Sequence, residues 1–140
     1  MATDIATSTW VAALAHRAPA EVPALAARLE EAGVTPQMVI DAIADLGSSL
    51  TAAAARSDDD GWAEPFGGAF AVALLAAEVS AYASNVVSLA SRARSIAVDD
   101  LLEEYSAVHV ASRLGVSRQK VYEIGRIGAR LRAPGGDDRP

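Results

Sequence analysis

Apolar side chains recur along most of the chain at intervals of three and four residues, the spacing of one face of an α-helix. No stretch shows the sustained alternation of apolar and polar residues that marks a half-buried strand. The sequence therefore predicts an all-α protein with an N-terminal helical bundle and a long fourth helix. The predicted helices run over about residues 5–17, 21–32, from Thr35 to a polar turn at 56–62, and 66–95.

The fourth predicted helix carries the longest apolar seam of the sequence. Its members alternate in steps of three and four: Val72, Leu75, Val79, Tyr82, Val86, Leu89, Ala93 and Ile96. A heptad-like seam packs either on neighbouring helices of the same chain or on a second chain. Intramolecular packing is the first expectation, and the repeat also favours a homodimer. Serines at positions 80, 84, 88, 91 and 95 are predicted on another face.

Composition narrows the class of protein. The chain has no cysteine, which excludes disulfides, thiolate metal sites and thiol nucleophiles. The first residues include Asp4 and no basic cluster, so we expect no secretory signal. The apolar run 66–77 ends at Glu78 and is shorter than the roughly 18 residues of a membrane span. These features predict a cytoplasmic protein without a membrane partner.

Signals for catalysis, metals and cofactors are weak. His16 and His109 belong to no convergent motif, and the glycine pair at 67–68 lacks the context of a phosphate loop. The acidic stretch at 57–61 is no calcium loop, because the two required acidic positions hold Arg56 and Gly67. We therefore expect no enzyme, no catalytic residue, no metal site and no cofactor.

Charge is distributed unevenly around a net value of −6. Residues 1–100 hold five basic and thirteen acidic residues, net −8, and residues 101–140 hold seven and five, net +2. Residues 105–132 contain six basic residues and a single acidic one, Glu123, for a net charge of +5. A basic segment on an acidic body indicates a binding patch for a polyanion or an ordinary solvated helix face.

Residues 107–126, AVHVASRLGVSRQKVYEIGR, contain two short helical patterns around a glycine. This stretch resembles the helix-turn-helix of bacterial transcriptional regulators. The resemblance covers these 20 residues only, and seven of its characteristic positions match: Val110, Ala111, Leu114, Gly115, Val116, Val121 and Ile124.

Physical reasons support several of these matches. Gly115 adopts positive φ at no steric cost, and Ala111 is small where the second helix crosses. Val116 is expected to fill the corner, and Ser117 to cap the second helix. Val121 and Ile124 are expected to face inward.

The resemblance also implies how the second helix would meet DNA. Its exposed face would read bases through Ser117, Arg118, Gln119, Tyr122 and Glu123. Phosphate contacts would come from Arg113, Lys120, Arg126, Arg130 and Arg132. Glu123 would either pair with Arg126 or accept a hydrogen bond from a cytosine amino group.

The sequence thus predicts three segments: an assembly region at 1–96, a DNA-binding helix-turn-helix at 97–132 and a flexible tail at 133–140. A short helix near 98–104 would complete the core of the second segment. The expected function is that of a small transcriptional regulator that binds double-stranded DNA, as a homodimer. Two alternatives stay open: an adaptor whose acidic body binds a protein, and a ligand-sensing regulator. The second would have a pocket among Trp10, Trp62, Phe66, Phe70 and Tyr82.

Overall fold

The computed structural model describes residues 2–133, with side chains from Ser8 onward. All regular structure in this range is helical and no strand occurs within it, which confirms the all-α class. Beyond Ala133, the predicted tail lies outside the described residues. The helices are α1 (Ala2–Ala13), α2 (Val22–Glu31), α3 (Pro36–Ala44), α4 (Ser48–Ala54), α5 (Ala69–Leu102), α6 (Ala107–Leu114) and α7 (Arg118–Arg132).

The chain forms two compact units, Met1–Asn85 and Val86–Pro140, called here the N-terminal and C-terminal units. The division lies inside α5, whereas the sequence places it further along the same helix, at 96–97. One continuous helix thus contributes to the core of both units.

The N-terminal unit closes around large apolar side chains from α1 to α5. Trp10, Leu14 and Leu29 lie in its centre, each no more than 4% exposed. The start of α3 is fixed as predicted, because Thr35 Oγ1 accepts a hydrogen bond of 3.2 Å from the backbone N–H of Met38. The core cluster consists of Trp10, Ala13, Leu14, Val22, Ala26, Leu29, Val34, Val39, Ala42, Leu50, Ala63, Ala71, Val72 and Leu75.

The third predicted helix is two helices in the structure. Leu46 and Gly47 have left-handed φ values of 53° and 77° and separate α3 from α4. The predicted apolar face therefore breaks: Leu46 is 68% exposed, and Ile40 is also on the surface. The core positions of this stretch are Val39, Ala42 and Leu50. Helical spacing continues across the break in the sequence, so periodicity gave no sign of it.

Helix α5 is longer than predicted and absorbs the separate helix expected near 98–104. Only the first part of its seam belongs to the core of the N-terminal unit, where Val72 and Leu75 are buried. Val86 and Leu89 are 44% and 58% exposed. The expectation that the whole seam packs within the molecule is therefore wrong for its middle.

Helix α5 is also the one helix among the described residues with the length and apolar composition of a membrane span. Its most apolar 18-residue window has a mean hydropathy of 1.6. Of this window, 22% is buried within the protein. The sequence analysis missed this window because it counted only the uninterrupted apolar run, which ends at Glu78. The mean hydropathy is averaged over 18 residues and also includes apolar residues on the far side of Glu78.

Candidate nucleic-acid interface

The core of the C-terminal unit holds α6 and α7 together with the end of α5. Leu101 and Leu102 of α5 pack against it. The predicted inward positions Val121 and Ile124 are 0% and 3% exposed, as expected. The six buried members of this core are Val98, Ala107, Val110, Ala111, Val121 and Ile124.

A three-residue turn, 115–117, joins α6 to α7. Gly115 has the predicted positive φ, 70°, and its backbone N–H donates to the carbonyl of Ala111 at 2.9 Å. Ser117 caps α7 as predicted, because its Oγ accepts from the backbone N–H of Lys120 at 3.0 Å. Val116 was expected to fill the corner but is 37% exposed. Ala111, predicted to be small where the second helix crosses, is buried in the core.

Two glycines that sequence reasoning did not single out set the position of α7. A Cβ atom built on Gly128 would lie 1.9 Å from the carbonyl oxygen of Ser95, and one on Gly125 would lie 2.7 Å from Leu102 Cδ1. Backbone of α7 therefore meets backbone of α5 at Gly128. Ser95 is 3% exposed, so it does not share a solvent face with the other serines of α5.

A signal for this contact was present in the sequence. A glycine inside a helix costs about 1 kcal/mol relative to alanine, so two of them in one amphipathic helix indicate a packing reason. The pattern EIGRIGARLR places both on the side of Ile124. The identity of the facing helix was not visible in the sequence.

The opposite side of α7 presents cationic and polar side chains to solvent. Arg118, Gln119, Tyr122 and Arg126 together line one surface hollow along the N-terminal half of the helix. Tyr122 is 52% exposed, and its backbone carbonyl accepts a hydrogen bond of 3.4 Å from Arg126 Nε. We call this group of four residues the α7 face. It brings together three of the predicted base-reading residues and one predicted phosphate contact.

The other predicted contacts divide into exposed and engaged residues. Arg113 and Arg130 are exposed. The Glu123 carboxylate lies 3.9 Å from Lys120 Nζ, an ion pair different from the expected one with Arg126. Arg132 is also exposed but pairs with α5: its Nη1 lies 3.2 Å from Asp99 Oδ2 and 3.7 Å from Asp100 Oδ1.

Charge separates the two units clearly. The N-terminal unit carries three basic and eleven acidic residues, net −8, and the C-terminal unit nine and seven, net +2. In the α6–α7 segment, 107–132, six basic residues accompany Glu123 alone. The N-terminus of α7 adds the positive end of a helix dipole to this surface.

The N-terminal unit contains a buried ionic cluster that the sequence did not reveal. Glu78 is 2% exposed and accepts from Arg17 Nη2 at 2.7 Å and from His16 Nε2 at 2.9 Å. Burial would raise the pKa of Glu78, but the hydrogen bonds and charges of Arg17 and His16 together outweigh it and hold the pKa below its ordinary value. The His16 ring also meets Tyr82 edge to face, with centroids 5.9 Å apart. Both carboxylate oxygens are engaged, so the cluster ties the segment after α1 to α5.

The aromatic residues considered for a ligand pocket lie in different surroundings. Trp10 is in the core and donates from Nε1 to Glu30 Oε1 at 2.7 Å, while Phe70 is 84% exposed. Trp62 and Phe66 are partly buried against the core. Within the described residues there is also no group of three or more histidine, aspartate and glutamate side chains that could hold a metal ion.

Comparison of the chain with protein-family models, with curated proteins and with solved structures gives no match. A functional assignment therefore depends on the geometry and charge of this chain. The α7 face combines exposed cationic and hydrogen-bonding side chains on one helix surface.

Proposed function

We propose that this protein is a small transcriptional regulator that binds double-stranded DNA through α6 and α7. The observation that carries the proposal is the α7 face. It is a row of arginine, glutamine and tyrosine side chains on the solvent side of a helix whose other side is fixed against α5. The major groove of B-form DNA is about 12 Å wide and admits one such helix.

In this proposal, the N-terminal end of α7 contacts the base edges. Arg118 is the first residue of the helix and Gln119 the second. Arginine binds guanine and glutamine binds adenine through paired hydrogen bonds in the major groove. Tyr122, one turn further, is suited to a phosphate or to a thymine methyl group.

Phosphate contacts fall to the exposed cations around this end. We retain Arg113, Lys120, Arg126 and Arg130 in that role. The Lys120–Glu123 pair does not remove Lys120, because exposed ion pairs are worth at most about 1 kcal/mol and exchange readily. Arg132 is assigned to holding α7 on α5, because its partly exposed pairs with Asp99 and Asp100 join the two helices.

The test is selection of bound duplexes from a random pool, followed by gel shifts at low salt. Arg118→Ala should lose about 1–3 kcal/mol on the selected duplex and relax the preference at one base pair. Arg28→Ala, an exposed arginine of the N-terminal unit, is the matched control and should bind as the unmodified chain does. Equal losses for Arg118→Ala on selected and scrambled duplexes would remove its base-reading role.

A protein-adaptor function is the second candidate. It is favoured by the net charge of −8 on the N-terminal unit and by the 84% exposure of Phe70. Failure of the unmodified chain to bind any duplex at low salt would overturn the DNA proposal. A partner whose binding is lost in Phe70→Ser but kept in Arg118→Ala would then establish the adaptor function.

A further inference from the structure

The middle of α5 exposes apolar side chains without any charged residue among them. No charged residue occurs from Val79 to Ser91. Val86 and Val87 are 44% and 64% exposed, and Ala90 is exposed as well. Isolated exposed valines are ordinary, whereas adjacent exposed valines in an uncharged stretch of more than three helical turns offer a surface on which another helix can pack.

We propose that a second copy of this chain docks here, with its α5 antiparallel, on the face formed by Val86, Val87 and Ala90. At 100° per residue these three positions span about 100° of the helix, with Ala90 between the two valines. The small side chain of Ala90 permits close approach of the two helices. This face differs from the predicted seam, because Leu89 points about 110° away from its centre.

The direction of the partner helix follows from Arg94. This exposed arginine lies seven residues after Val87, on the same side of α5. A parallel, in-register pair would place Arg94 beside the Arg94 of the partner subunit. In an antiparallel pair centred on Val87, the rise of 1.5 Å per residue separates the two arginines by about 21 Å. That separation exceeds the screening length of about 8 Å at physiological salt, so the repulsion disappears.

The same geometry gives a spacing for the DNA-binding surfaces, a step that rests on the proposed function. Val98 lies at the contact with α7, 3.7 Å from the position of a Cβ on Gly125. It is eleven residues after Val87, about 16 Å along the helix, so the two copies of Val98 lie about 33 Å apart along α5. Adjacent major grooves on one side of DNA are about 34–36 Å apart.

The two α7 helices also come to the same side of such a dimer. The positions of α5 that meet the two glycines of α7 are Ser95, Val98, Asp99 and Leu102, whose mean direction is about 120° around the helix from the docking face. The two-fold axis of an antiparallel pair runs perpendicular to both helices and between them, so it keeps both α7 helices on one side. Two α7 helices attached to α5 about one DNA turn apart and on one side of the dimer suit two half-sites.

The first test measures self-association of the full chain without DNA by sedimentation equilibrium. The unmodified chain should be a dimer, and Val87→Asp should raise its dimer Kd by about 100-fold or more, because each interface would bury two carboxylates. Leu89→Asp is the matched control: Leu89 has a similar exposure, 58%, and its variant should stay within a few-fold of the unmodified Kd. A monomeric unmodified chain, or equal effects of the two variants, would overturn the proposal.

The second test fixes the orientation and uses the absence of native cysteine. Single variants Val87→Cys and Arg94→Cys are oxidised, and a disulfide forms only between Cα atoms within about 7 Å. The antiparallel pair predicts cross-linked dimer for Val87→Cys and none for Arg94→Cys. Cross-linking of both would show a parallel pair and overturn the proposal.

The third test separates this inference from the proposed function and from a lipid partner. Two selected half-sites with centres about 10 base pairs apart should bind at least about tenfold more tightly than the same half-sites 15 base pairs apart. Equal affinities for the two duplexes would contradict the predicted spacing of the half-sites. If no duplex binds while the first two tests succeed, the DNA proposal fails and the docking face stands. A chain that is monomeric in solution but binds phosphatidylglycerol vesicles through Val87 would show that the face meets lipid instead.

Discussion

The two units of this protein close their cores in different ways. The N-terminal unit gathers fourteen buried residues, including Trp10 and four leucines, while the C-terminal unit has only six, none larger than isoleucine. The smaller core compensates by close approach of the α7 backbone to the backbone of α5 at Gly128 and to the Leu102 side chain at Gly125. Side-chain volume therefore stabilises one unit and backbone proximity the other, so the two should respond to different substitutions.

The units also differ in where their principal charged groups lie, buried in the first and on the surface in the second. The N-terminal unit buries the charge of Glu78 and satisfies it internally with Arg17 and His16. The C-terminal unit keeps its arginines mostly on the surface, where a ligand can reach them. Internal charge should control the stability of the first unit, and surface charge the binding by the second.

Gly128→Ala should produce the largest loss of stability and confine it to the C-terminal unit. The new methyl group would overlap the backbone carbonyl of Ser95, which no rotamer change can relieve, so we expect a loss of about 3 kcal/mol. Gly125→Ala is the control: its methyl group overlaps only the movable end of Leu102 and makes an ordinary contact with Val98, and alanine gains about 1 kcal/mol of helix propensity. Residue-resolved hydrogen exchange measures both, and equal losses would contradict the role of backbone proximity.

Glu78→Gln should destabilise the N-terminal unit by about 2–3 kcal/mol at neutral pH, because charge-assisted hydrogen bonds to Arg17 and His16 are lost. The lowered pKa of Glu78 means that its contribution is present above its unfolded pKa, near 4.3, and is lost as the pH falls through the folded pKa. In urea unfolding measured from pH 7 to pH 3, the free energy of unfolding should therefore fall less for the variant than for the unmodified chain. The exposed Glu31→Gln should leave the profile unchanged.

Gly115→Val and Gly33→Val test the same backbone feature, a glycine with positive φ, in each of the two units. Both glycines have positive φ, 70° and 78°, and a Cβ added to either would meet no neighbouring atom within 4 Å, so strain alone decides the cost. We expect about 2 kcal/mol for each, since a β-branched residue resists this conformation. Each substitution should raise exchange rates in its own unit only. An unchanged melting temperature for Gly115→Val would contradict the assignment of the turn.

Arg130→Ala and Arg132→Ala should have the smallest effects and should separate binding from packing. Arg130→Ala should weaken all duplexes alike and reduce the salt slope by about one unit. Arg132→Ala should leave the salt slope nearly unchanged and reduce stability by up to about 1 kcal/mol, because its pairs with Asp99 and Asp100 are partly exposed. The reverse pattern in a salt titration would return Arg132 to the DNA-binding surface.

The sequence by itself determined the local features of the candidate site. Helical periodicity predicted α6 and α7, glycine predicted the left-handed turn at Gly115, and serine predicted the cap at Ser117. These are short-range effects that depend on residues within a few positions of one another. For the same reason, the inward positions Val121 and Ile124 were correct.

Only the tertiary structure decided which helix each surface meets. The contact of Gly128 with Ser95, the pairing of Arg132 with Asp99 and the burial of Glu78 each join residues distant in the sequence. The exposure of Val87 likewise depends on which parts of α5 other helices cover. Periodicity shows which side of a helix is apolar, but packing, which depends on the shape of distant segments, decides whether that side is buried.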